Sequence, residues 1–304
     1  MSGKVEMNDN ILQHYLGFSL YTNPGLYRDF LRGLPDDIRE LGNLVCRQVI
    51  HRVTLRQGNT GANVDRRYGD MDDFPWHRLR CEDDILMTAV SMIAELLRLD
   101  GKGFTRERTV EDKIVVTCRY VAVLMASILK SKGIPCRCRS GFAPYLTPTQ
   151  SVDHWVAEYW DDGQSRWVAL DADGLFDGLD FDQFDIPRDR FDWAAESWLK
   201  IRRGQTNGDR FVYAGGLKGI EAAVRAVIYD FHSLMNDEIS YRFMPKYLDG
   251  KVSDLSEPEL AEIDDLAELM TDPDEHFHEL KDVWDNTRKF RIMNAPLIGD
   301  ADHP

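Results

Sequence analysis

The sequence predicts an α+β fold, and three observations carry that prediction. Residues 118–131 hold a helix with strong apolar periodicity, residues 153–171 hold a β-hairpin, and amphipathic helical patterns dominate both flanks. Three regions follow with soft boundaries: a helical N-terminal region over 1–112 that supports the core, the core over 113–190, and a helical C-terminal region over 191–304.

Between Asn8 and about Arg80, the run PDDIRELGNLVCRQVIHRVTL predicts helix after an acidic first turn, with breaks at NPG and QGNTGAN. Glu82 to Arg98 predicts a further helix leading toward the core. In TCRYVAVLMASILKSKGIP, Thr117 is the N-cap, Cys118 the first helical residue, and Gly133 with Pro135 the stop. Val121, Leu124, Met125, Ile128 and Leu129 then form one buried stripe. DHWVAEYW and RWVALD are aromatic and β-rich on either side of the turn DDGQS, which makes them paired strands.

The stretch DGLFDGLDFDQFDIPRDRFDW alternates Asp and Phe without the oxygen register, sixth-position glycine and final glutamate of a calcium loop. It is expected to wrap the core, burying Phe176, Phe181, Phe184 and Phe191. Farther on, GLKGIEAAVRAVIYDFHSLMNDE carries Ile220, Val224, Val227, Ile228, Phe231 and Leu234 on one helical face. The Gly-Gly before it reads as a turn, because neither a Walker loop nor a Rossmann fingerprint surrounds it. Acidic residues around helical apolar positions in LSEPELAEIDDLAELMTDPDEHFHELKDVWDN describe a solvated face. Its His276 and His278, two apart, point to different sides of a helix.

The chemistry concentrates in Cys118, His154 and Asp171. A cysteine at a helix start lies where backbone N–H groups and the helix dipole favour the thiolate, the reactive form. Antiparallel pairing of the two strands brings His154, near the start of the first, beside Asp171, at the end of the second. An imidazole next to a thiol takes its proton, and a carboxylate on the other ring nitrogen fixes the tautomer. The bland readings are a small buried cysteine, a half-buried strand histidine and the first residue of a DADG turn. Spacing, cap and hairpin together favour the triad.

These residues resemble the transglutaminase-like superfamily, whose core runs as a Cys opening a helix, then G-I-P-x-R, then H-x-W-x-E-x-(aromatic), then W-x-x-x-D. The matching stretches here are TCRYVAVLMASILKSKGIPCRCRSGF, DHWVAEYW and RWVALDAD, in the same order. The resemblance implies a papain-like catalytic core over 113–190, with an antiparallel sheet packed on the Cys-bearing helix. It also implies a triad of Cys118, His154 and Asp171. The implied activity is acyl transfer on an amide or peptide carbonyl through a thioester, ending in hydrolysis or transamidation. The substrate would be a peptide, a protein or a small-molecule amide. A binding or assembly protein that keeps the fold without the catalysis is the alternative.

This chemistry requires no metal and no organic cofactor. Cys136 departs from the small residue usual in the family, and its CRC pairing with Cys138 lacks both zinc spacing and a second pair, so no metal site is expected there. One oxyanion donor is expected from the Cys118 backbone N–H, with Gln48, Trp76 or another upstream group as candidates for the second. A net charge of −15 over 304 residues argues against nucleic acid as a partner. The N-terminus lacks a signal peptide's basic start and apolar core, and no apolar run approaches the roughly 18 residues of a membrane span. Five thinly spread cysteines read as reduced thiols. A cytoplasmic address without membrane association is the resulting expectation.

Overall fold

The computed structural model describes residues 8–51, 82–174, 178–213, 216–248 and 250–292. At its centre, helix α5 (Cys118–Ser131) lies against strands β3 (Cys136–Ala143) and β4 (Ser151–Asp161). The sheet runs β5 (Arg166–Leu170), β4, β3, β6 (Asp192–Trp193), all antiparallel, and β7 (Phe211–Val212) pairs in parallel with the start of β4. This is the α+β class that the sequence predicts.

Helix α5 begins and ends where its punctuation indicates, at Cys118 and just before Gly133, whose φ of +82° suits a residue without Cβ. Its burial differs from the single stripe expected, since all 14 of its residues are buried. The sheet covers one side, and α2 (Arg28–Arg32), α3 (Ile38–Cys46) and α4 (Ala89–Leu99) also pack against it. Its two long cationic side chains, Arg119 and Lys130, find acceptors outside the helix. Arg119 Nε donates to the carbonyls of Glu238 and Ile239 at 3.0 and 2.9 Å, and Lys130 Nζ donates to Gly17 O and Asn236 Oδ1 at 2.8 Å each.

One expected helix is shorter than its periodicity. Helix α3 stops at Cys46, and Val49–His51 forms strand β1, parallel to β2 (Ile114–Val116). β-branched Val49 and Ile50 pair with Ile114 and Val115, a long-range partnership that overrides local helical periodicity. Residues 52–55 of the same run lie outside the described residues. The Asp- and Phe-rich segment buries Phe184 and Phe191 and half-buries Phe181, whereas Phe176 lies outside the described residues.

The C-terminal region supplies α6 (Ala194–Arg202), α7 (Ile220–Leu234), α8 (Glu257–Met270) and α9 (Phe277–Asn286). Helix α7 packs on β3 and buries Val224, Val227, Ile228, Phe231 and Leu234, with Ile220 half-buried at its start. Gly141 on β3, paired with His154 on β4, permits a close approach by β6. A Cβ there would sit 2.5 Å from Phe191 Cε1 and 2.6 Å from Asp192 O, so only glycine lets β6 close on β3 at this register. Among the described residues, no helix is long and apolar enough to cross a membrane.

Candidate active site

The three residues singled out in the sequence meet at one end of the sheet. Cys118 opens α5, His154 sits near the start of β4, and Asp171 directly follows β5. In the β4–β5 register Leu170 faces Ala157, so Asp171 continues the strand toward the His154 end of β4. His154 Nε2 donates to Asp171 Oδ2 at 2.8 Å, which leaves Nδ1 for the Cys118 thiol. All three are enclosed: Cys118 is 4%, His154 1% and Asp171 1% exposed.

Asp171 is held from several directions. Tyr145, in the loop between β3 and β4, donates its hydroxyl to the same Oδ2 at 2.8 Å, and the Asp173 N–H donates to Oδ1 at 2.9 Å. Its backbone exchanges hydrogen bonds with Gln183, whose side-chain Nε2 donates to Asp171 O and whose carbonyl accepts from Asp171 N, each at 2.8 Å. Cys46 Sγ fastens the next residues through the carbonyls of Ala172 and Gly174, at 3.1 and 3.3 Å. A carboxylate so constrained dictates which imidazole nitrogen carries the proton.

Burial and charge compete within this group. Burial by itself would depress His154, but the negative charges of Asp171 and of a Cys118 thiolate outweigh it and hold the imidazole well above its ordinary value. Burial likewise pushes on Asp171, yet His154 and the hydrogen bonds from Asp173 and Tyr145 hold the carboxyl below the usual range. For Cys118 burial wins and raises the thiol, with His154 opposing it. Thr117 occupies the N-cap with extended backbone, but its hydroxyl makes no cap bond, so it does not occupy the first N–H groups of α5.

Sequence reasoning missed the lid over the thiol. Tyr241, in the segment between α7 and α8, brings its hydroxyl to 3.3 Å from Cys118 Sγ. Its ring packs edge-on against Trp155, Tyr213 and Tyr229, at centroid distances of 6.2, 6.1 and 5.7 Å. Arg119, next to the nucleophile, ties down the same segment through Glu238 and Ile239. The space lined by Cys118, Val121, Met125, Trp155, Leu170 and Asp173 is too small for a water molecule. Nothing local in NDEISYRF marks Tyr241. Tyr145 had one signal, its place in the loop APYLTPTQSV just before the strand that carries His154.

Two further side chains flank the thiol. His51, at the end of β1, and Asp173, two residues beyond Asp171, lie 3.5 Å apart from Nε2 to Oδ2. Of the oxyanion candidates, Gln48 is committed elsewhere. Its Nε2 donates to Leu44 O and Thr105 O at 2.7 Å each, and its Oε1 accepts from Arg108 Nε at 2.7 Å. Trp76 lies outside the described residues. Cys136 and Cys138 are wholly buried on β3, and burial pushes both thiols up, Cys136 to about 12. Cys118, Cys136 and Cys138 are free thiols.

Residues 105–172 match the family model of the transglutaminase-like superfamily, which covers the Cys-bearing helix and the sheet strands with His154 and Asp171. This agrees with the motif resemblance and with a cysteine-based catalytic core. A crystal structure of a candidate cysteine protease from Cytophaga hutchinsonii is similar over 64% of this chain, with 15% identity and a TM-score of 0.35. The alignment spans 52% of that structure, about half its length. No curated protein matches significantly.

Proposed function

We propose that this chain, whose residues 105–172 carry the transglutaminase-like core, is a cysteine-dependent enzyme acting on an amide or peptide carbonyl. The observation that carries the reading is the 2.8 Å bond from His154 Nε2 to Asp171 Oδ2, with the other ring nitrogen left for the thiol at the start of α5. His154 takes the Cys118 proton, and the sulfur attacks the carbonyl carbon. The oxyanion forms near the first N–H groups of the helix, with the Cys118 N–H as one donor. Collapse of the tetrahedral species breaks the C–N bond, and the imidazolium gives its proton to the departing amine. The thioester then passes its acyl group to water, or to an amine, with His154 acting as base. Asp171 keeps the imidazole in the required tautomer.

The non-catalytic reading is favoured by one specific observation, the burial of Cys118, 4% exposed, with the Tyr241 hydroxyl 3.3 Å from its sulfur. The two readings separate on intact mass spectrometry of wild type and His154→Ala after exposure to cell extract. An acyl adduct mapped to Cys118 supports the enzyme. Iodoacetamide reacting no faster at Cys118 than at Cys46 across the pH range, with no adduct, supports the binding module.

A further inference from the structure

We propose that His51, Cys118 and Asp173 form a site for a thiophilic divalent cation of the zinc class, and that filling it withdraws Cys118 from acyl chemistry. The three side chains come from three separate elements, the end of β1, the start of α5 and the loop after β5. One ligand atom from each, an imidazole nitrogen, the thiol sulfur and a carboxylate oxygen, all lie within 4.8 Å of one another. All three residues are buried. Among the described residues, this is the one group of three such side chains so gathered.

The geometry suits a small ion. Zinc bonds of about 2.0–2.3 Å in a tetrahedral arrangement place neighbouring ligand atoms roughly 3.3–3.6 Å apart. The His51 Nε2 to Asp173 Oδ2 separation is already 3.5 Å, so closure needs only modest side-chain rotation at the sulfur. The charge balance suits a dry site as well. A thiolate, a carboxylate and a neutral imidazole carry two negative charges, which a dication cancels, so the filled site is neutral where bare charges would be costly. A sulfur lone pair given to the cation is no longer available to a carbonyl carbon.

The metal-binding half stands without the enzyme reading, and the blocking half rests on it. The test titrates the purified full chain with Co²⁺, reading the near-ultraviolet thiolate-to-cobalt band, and then displaces it with Zn²⁺. One equivalent with that band is expected. Methylthiolation of Cys118 in the wild type, checked by peptide mapping, should abolish the band without any mutation. His51→Gln and Asp173→Asn should each weaken Co²⁺ binding about tenfold or more. Zn²⁺ should slow iodoacetamide labelling of Cys118, with recovery in EDTA, and in His51→Gln the ratio of its labelling rates without and with Zn²⁺ should fall toward one. The site is refuted by a missing band, by a band that survives methylthiolation, or by unchanged affinity in a folded His51→Gln or Asp173→Asn protein. If Cys118→Ala retained turnover while the wild type bound cobalt as described, the enzyme reading would fall and the metal site would remain.

Discussion

Strand β4 carries two buried polar clusters, one at His154 and one at Glu158, and they behave oppositely. At the Glu158 end every charge is answered. Arg137 Nε and Arg139 Nη1 donate to Glu158 Oε2 at 2.8 and 2.9 Å, and Arg139 closes a two-pronged pair on Asp230 at 2.9 Å per bond. Arg137 also reaches Asp274 Oδ1 at 2.6 Å and lies 4.1 Å from the centre of the Trp167 ring. Burial would raise the Glu158 carboxyl, but the two guanidinium groups overcome it and hold it at about 2. At the His154 end, burial pushes the Cys118 thiol up while the neighbouring His154 pulls it down, and Asp171 holds that imidazole up against its own burial. Equal burial therefore does not mark function. Fixed charges with complete partners form structure, whereas groups whose preferred protonation states conflict are the ones able to react.

The contrast breaks most decisively at sulfur. Cys118→Ala should remove turnover entirely and leave thermal melting near wild type, since one small atom is lost at a helix start. Residual turnover in a hydrolysis or transamidation assay would transfer the chemistry to another residue. Next in size is Asp171→Asn, which keeps the volume yet favours the wrong imidazole tautomer. A rate loss of ~10⁴ is expected from the equivalent change in serine proteases. Steady-state kinetics with a melting control read it, and a normal rate would reduce the triad to a pair.

The opposite cluster should fail in the opposite way. Glu158→Gln leaves two buried guanidinium groups facing a neutral amide, and urea unfolding should show a loss of about 3–5 kcal/mol. Iodoacetamide labelling of Cys118 in the folded protein should stay within twofold of wild type. Because the folded Glu158 carboxyl lies below its unfolded value of about 4.5, its contribution is complete above that pH and disappears as pH falls toward about 2. That difference corresponds to about 3 kcal/mol, and Glu158→Gln should flatten this acid limb of the stability curve. The smallest effect should come from Tyr241→Phe. Removing the hydroxyl that lies 3.3 Å from Sγ should slow labelling at fixed pH about fivefold, the scale of one net hydrogen bond. Unchanged labelling would make Tyr241 a packing residue alone.

The part of the site legible in the sequence was the part built from neighbours in the chain. Cys118 at the first turn of α5, the β4–β5 hairpin and the placement of Asp171 all follow from local punctuation and period-two alternation. His51 was invisible because β1 exists only through its pairing with Ile114–Val116, and the same letters in isolation read as helix. Tyr241 was invisible because it lies outside any periodic element and reaches the sulfur only once α7 docks on β3. Asp173 was within reach, since it follows Asp171 at the same strand parity. The fully buried α5 was under-read for a related reason: a stripe reports the strongest face of a helix, and additional neighbours can cover the others.

The four-residue step from His154 to Glu158 also acts as a spacer of fixed length. An extended strand advances about 13 Å over that interval, so the ion cluster and the imidazole are gauged against each other by backbone alone. A single inserted or deleted residue between them would swap side-chain parity for everything beyond it, turning either the imidazole or the carboxylate to the wrong side of the sheet. Substitutions in Trp155, Val156 and Ala157 should therefore be tolerated far more readily than any change in their number. Among diverging copies of this gene, drift in length should collect in the 144–150 and 162–165 turns, which connect the strands without setting this distance.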